Sequence, residues 1–184
     1  MFVLLALAGI SFTQELPTSI RGYKVRRINL QVRSAGEKNA RDKDASVKVG
    51  EPHIVDIGLD GIVLEATAEI TGLDQDGQVD FLMFKDVVVN GIPLAISDYE
   101  HPFALKKGAT IALTTPVRGT ISAVNVAKAV YKEATTTSRG AWEVSGTVFV
   151  FGRFKKMGFT FKRVIPISIH LTIPNPLKTP ARTD

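Results

Sequence analysis

Asp98, Tyr99, Glu100 and His101 crowd titratable side chains into one short loop, the first place to look for acid–base chemistry. A catalytic reading needs a nucleophile oriented by His101 and a third group, and no motif supplies one. The chain has no Gly-rich phosphate loop, no G-x-S-x-G elbow and no H-E-x-x-H. Asp74, Asp76 and Asp80 in LDQDGQVD have the opening spacing of a calcium loop. The bidentate Glu at the twelfth position is missing, and Lys85 stands there instead. His53, His101 and His170 are scattered, and without Cys there is no thiolate site, disulfide or thiol nucleophile. These residues predict no enzyme, no metal and no cofactor.

Residues 149–163, FVFGRFKKMGFTFKR, carry a different chemistry. Five Phe interleave with Arg153, Lys155, Lys156, Lys162 and Arg163. Aromatic platforms beside cations suit single-stranded nucleic acid. A surface dipping Phe154 and Met157 into anionic lipid has the same composition. The simpler alternative is a hairpin with core aromatics and a solvated Lys155-Lys156 tip. A ligand or lipid surface here would comprise Arg153, Phe154, Lys155, Lys156, Met157 and Lys162, with a protein or membrane surface preferred to nucleic acid as partner.

The elements that position these residues read mostly as strands. In residues 157–173 the apolar side chains Met157, Phe159, Phe161, Ile165, Ile167, Ile169, Leu171 and Ile173 take the odd positions, interrupted by Arg163. Strict alternation buries one row and leaves the other in water. This is one long strand, or two joined by a bend near Arg163–Pro166, and residues 152–158 turn into it. Trp142, Val144, Val148 and Val150 line one face of the preceding strand, with Phe149 and Phe151 on the other. Strands are also expected over 21–33, 47–59 (with a bend or edge at Pro52), 62–70, 79–89, 92–96, 103–105 and 109–117. Asn90-Gly91 signals a type I′ hairpin, which needs positive φ at both residues. Residues 122–134 form the one convincing helix, with Val124, Ala127, Tyr131 and Ala134 facing inward.

At 184 residues the chain holds one domain, or a domain plus an arm. The net charge of +5 is unevenly spread. Residues 21–48 hold nine basic and three acidic side chains, 49–104 one and eleven, and 105–184 thirteen and three. Either oppositely charged strands neutralise each other, or a basic face meets an anionic partner. The apolar opening MFVLLALAGISF is about a dozen residues, the length of a signal-peptide core rather than of a span of roughly 20. It lacks the basic residues that usually precede such a core, and a strand or helix packed on the body is the alternative. The expected organisation is a signal peptide or anchor at 1–13, an arm with one strand and a polar loop at 14–46, a sandwich at 47–173 and a flexible tail at 174–184. Export to the periplasm or a membrane is expected, ahead of a cytoplasmic location.

From about Val49 to Ile173 the chain resembles the late-embryogenesis-abundant group 2 proteins, the water-stress and hypersensitive-response domain. The order of features carries the likeness: EPHIVDIGLDGIVLEATAEI, the hairpin VVVNGIPLA, the Lys-Lys-Gly loop with ATIALTTPV, the helix SAVNVAKAVYKEA, then WEVSGTVFVF and the closing strand. The family's Asn-Pro-Asn turn is replaced by Gly-Leu-Asp-Gln-Asp-Gly at residues 72–77. The resemblance implies an antiparallel immunoglobulin- or fibronectin-III-like β-sandwich without enzymatic activity. It also implies a stress-protective, structural or accessory role in the cell envelope, and carries over no site residues.

Overall fold

Two long strands organise the molecule: β14 (Ala141–Lys156) and β15 (Phe159–Pro174). They pair antiparallel without a break from Ala141↔Pro174 to Lys156↔Phe159. The computed structural model describes residues 17–27, 31–34, 46–71, 76–135 and 141–174. The predicted polar loop over 34–46, the loop at 135–140, the opening 1–13 and the tail lie wholly or mainly outside the described residues, as does Asp74 of the calcium-like run, whose Asp80 falls in a strand rather than a loop.

Ahead of the ribbon come β1 (Ser19–Ile20), β2 (Tyr23–Val25), β3 (Gln31–Ser34), β4 (Ser46–Val49), β5 (His53–Gly58), β6 (Gly61–Ala66) and β7 (Ala68–Thr71). They are followed by β8 (Gly77–Val89), β9 (Ile92–Pro93), β10 (Ala95–Ile96), β11 (Phe103–Leu105), β12 (Ile111–Ala112), β13 (Val117–Ser122) and α1 (Ala123–Thr135). The main sheet runs β11-β8-β14-β15-β3-β4-β7-β12, and a second runs β10-β13-β6-β5. The path's two ends, β11 and β12, are only residues 106–110 apart in the chain, so the sheet curls.

Neighbouring strands of the second layer break at one level. Residues 50–52 separate β4 from β5, Thr67 separates β6 from β7, and residues 113–116 separate β12 from β13. Gly50 N–H donates to the Thr67 carbonyl (2.9 Å) and Leu113 N–H to that of Ala68 (2.9 Å), so the layer bends without losing its bonds. Pro52, without an N–H, falls in this bend as expected. The result is the expected all-β sandwich with one short helix. It departs from a purely antiparallel plan where β15 runs parallel to β2 and β3, and β3 to β4.

Alternation sorts the ribbon's side chains. Val148 and Val150 join Ile165, Ile167, Ile169 and Leu171 in the core between the layers. Phe149, Phe151 and Val164 face the other way and pack with Tyr23 of β2. Phe151 is wholly buried, stacked on Phe81 at 4.2 Å with the Tyr23 ring edge-on at 5.2 Å. Residues 14–46 were expected to hold one strand. Their described parts supply β1, β2, β3 and the start of β4, and they complete both the sheet and this second core.

Three local expectations are settled. The turn is only Met157-Gly158, not residues 152–158, because β14 runs on to Lys156. Of the two forms left open at Arg163–Pro166, the single long strand is the one found, and Pro166 lies between its parallel pairings with β2 (at Arg163 and Val164) and β3 (at Ser168 and Ile169). The helix forms, but among its described side chains Asn125, Val126 and Ala129 are part-buried and Val124, Ala127 and Tyr131 are exposed, while that of Ala134 lies outside those described. It starts directly after β13, with Ala123 N–H donating to the Asp60 carbonyl (3.0 Å).

Candidate functional site

The space between the layers is not completely filled. A cavity of about 390 Å³ lies there, within the range of small-molecule sites. Its wall follows β14 from Trp142 to Phe154, roughly 40 Å of strand at about 3.3 Å per residue, so it suits a chain-like ligand. Ile165, Ile167 and Ile169 form one side and Val47, Val49 and Ile70 the other. Polar lining is confined to a few side chains, among them Glu65 and Thr67 at the bend of the second layer. Glu65 is already paired: Arg118 Nε donates to its Oε1 at 2.9 Å. Thr67 is exposed, which brings the lining to the surface there.

Trp142 lines the cavity and is itself buried, yet its Nε1–H has no hydrogen-bond partner among the described residues. A buried donor left unpaired costs about 1–3 kcal/mol. Such an orphan beside an apolar cavity is the feature a ligand with one acceptor would relieve.

The six residues singled out from the sequence separate into different roles. Phe154 is only 4% exposed and lines the cavity; it belongs to the core and not to a lipid-facing surface. Its neighbour across the ribbon is Phe161, and the unbroken strand carries it inward. Arg153 is not a free cation, since its Nη2 and Nε donate to Asp80 Oδ1 at 2.7 and 3.2 Å. Asp80 also accepts from the Tyr23 hydroxyl at 3.0 Å. Burial first, then this bond, raises the Tyr23 phenol above its ordinary value of 10.0. Lys155 and Lys162 are exposed, with Lys162 Nζ 4.2 Å from the centre of the Tyr23 ring. Lys156 ends β14, and its side chain is outside those described. Met157 stands at the tip, 88% exposed.

Beside this hairpin lies a second, shallower pocket of about 510 Å³, bounded by Thr18, Lys24, Val25, Arg26, Phe154, Phe161 and Arg163. Lys24 and Arg26 had no visible link to residues 149–163 in the sequence. The parallel pairing of β2 with β15, Lys24 opposite Arg163, brings them together. A contact of this kind leaves no local pattern to read.

The other candidates resolve into structural roles. Asp98 pairs with Arg21 (3.1 Å), and Tyr99 is buried, bridged to Leu82 by two backbone bonds of 2.9 Å. His101 only flanks the Tyr99 ring, at 5.3 Å. Asp76 accepts from Lys107 N–H at 2.9 Å. Among the described residues no three His, Asp or Glu are grouped to hold a metal, and no helix is long and apolar enough to cross a membrane. Three ion pairs, Arg21–Asp98, Arg118–Glu65 and Arg153–Asp80, each tie a basic stretch of sequence to the acidic one. Neutralisation between strands is thus part of the charge layout.

No family model and no curated protein matches the chain. Two solved structures share some of its shape. One is a protein from Archaeoglobus fulgidus, 12% identical, covering 71% of this chain and 97% of that one at a TM-score of 0.35. The other is a candidate late embryogenesis abundant protein, 13% identical, covering 72% and 71% at a TM-score of 0.31. The second is of the kind the sequence resembles, but likenesses this distant carry no argument about family or function. The cavity and the hairpin have to speak for themselves.

Proposed function

We propose that this protein is a non-catalytic binding module that holds a single acyl chain, with one hydrogen-bond acceptor at its head, between the layers of its β-sandwich. The observation that carries this reading is the elongated apolar cavity. Each methylene moved from water into such a space contributes about 0.8 kcal/mol. The Trp142 Nε1–H supports a fatty acid or alcohol over a plain alkane, because only the former offers the orphan donor a partner. Export through the apolar opening belongs to the same proposal, and N-terminal sequencing of the mature chain from its host tests that part.

Trp142 is the single tryptophan, so its emission reports the cavity directly. Titration with saturated fatty acids of increasing length should shift that emission. Two added methylenes should tighten binding by up to about fifteenfold until the cavity is full. Val148→Phe, which fills part of the space, should abolish the shift while the protein still unfolds cooperatively. An emission indifferent to ligand and chain length would defeat the reading.

A second reading, an accessory or protective protein acting through surface contacts, is favoured by one feature. The edge strand β5 exposes Ile54, Val55 and Ile57, with Leu59 at its end. Exposed apolar edges of this kind mark contact surfaces. Sedimentation that stays monomeric and partner-free across concentrations in host extract would count against it.

A further inference from the structure

Two turns in this chain have the same backbone. Asn90-Gly91 sits at φ 49° and 80°, and Met157-Gly158 at φ 50° and 80°. Asn tolerates that left-handed conformation because its short polar side chain bonds locally, whereas an unbranched apolar residue is strained there. Packing offers Met157 no compensation, since its side chain is 88% exposed. Phe159, 69% exposed, stands next to it, with the Phe161 ring 6.5 Å away. Folding gains nothing from placing these side chains in water, so the tip points to a partner that takes them up.

The pocket behind the tip names that partner's charge. Lys24, Arg26 and Arg163 line it together, and among the described residues no acidic side chain does. Arg163 lies over the Phe161 ring at 5.3 Å. Arg21, Arg118 and Arg153 each have a carboxylate within 3.1 Å, whereas Lys24, Arg26 and Arg163 have none among the described residues. An apolar tip with unneutralised cations one step behind it is the layout of a segment that enters the headgroup layer of an anionic bilayer.

We propose that the β14–β15 hairpin docks the protein on an anionic membrane surface. Met157 and Phe159 enter the boundary between headgroups and acyl chains, and Lys24, Arg26 and Arg163 hold a headgroup phosphate. The site shares only Phe154 with the wall of the interior cavity and works whether or not that cavity is filled.

Cosedimentation of the full chain with vesicles tests it. Vesicles of phosphatidylcholine with phosphatidylserine should bind the protein, salt should weaken the binding, and phosphatidylcholine alone should bind little. Lys24→Gln with Arg163→Gln should weaken binding about thirtyfold, from roughly fivefold per cation near an anionic surface. Met157→Asn with Phe159→Thr should abolish it while leaving the melting temperature unchanged or higher, so that loss of fold is not the cause. Equal binding to neutral vesicles, or wild-type binding by either double variant, overturns the proposal. So does release of the protein by millimolar inorganic phosphate, which would make the pocket a site for a soluble anion. Both variants should still shift Trp142 emission with fatty acid, so failure here and failure of the cavity reading are told apart.

Discussion

At Asn90-Gly91 the chain reverses with residues chosen for the backbone they must adopt, and the flanking Val89 and Ile92 are buried. At Met157-Gly158 it reverses through the same dihedral angles with a residue that fits them poorly, and the flanking Phe159 is exposed. The first hairpin is built for stability. In the second, local preference gives way to what the tip displays, and such departures concentrate at functional sites. The boundary between the two behaviours is sharp: Phe154 is core, and five residues later Phe159 is in solvent.

That boundary gives the largest expected effect. Phe154→Ala removes a side chain that lines the core cavity and should cost about 3–5 kcal/mol in denaturant unfolding. Phe159→Ala should change stability by no more than about 0.5 kcal/mol. Similar losses at the two positions would mean that the tip packs as core, and the contrast with Asn90-Gly91 would disappear. Exchanging the turn residues is the next test. Asn90→Met should destabilise by about 1–2 kcal/mol, and Met157→Asn should stabilise by a comparable amount. A Met157→Asn protein no more stable than wild type would show that the tip carries no strain.

The sequence disclosed what depends on local period and turn chemistry. The alternation in residues 165–173 placed five buried side chains correctly, and Asn90-Gly91 took the expected positive φ at both residues. The same alternation failed at Met157, Phe159 and Phe161, because period two assigns residues to a face without saying whether anything covers it. Phe154 was misplaced for a related reason: the strand continued past Gly152, where a glycine suggested a turn. That glycine instead lets β8 pass close, since a Cβ there would lie 2.5 Å from the Gln78 carbonyl oxygen. The cationic pocket and the cavity were not legible, as both arise between strands distant in sequence.

The smallest effect concerns how the base of the projecting hairpin is held. Arg153, next to Phe154, is clamped by Asp80, which also accepts from the Tyr23 hydroxyl, and Lys162 rests on the Tyr23 ring. The Tyr23 pKa is raised in the folded protein, chiefly by burial and then by the bond to Asp80, so folding favours the neutral phenol. Its contribution is fully present below the unfolded value of 10.0 and is lost as pH rises through the higher folded value. Unfolding midpoints should therefore fall above about pH 10, and Tyr23→Phe should remove that part of the decline. The loosening should appear first at the hairpin base, as faster amide exchange at Arg153 and Phe154 while Val89 and Ile92 stay protected. If the two hairpins instead lose protection together, the second is no separate device, and its exposed tip is held by the fold as a whole.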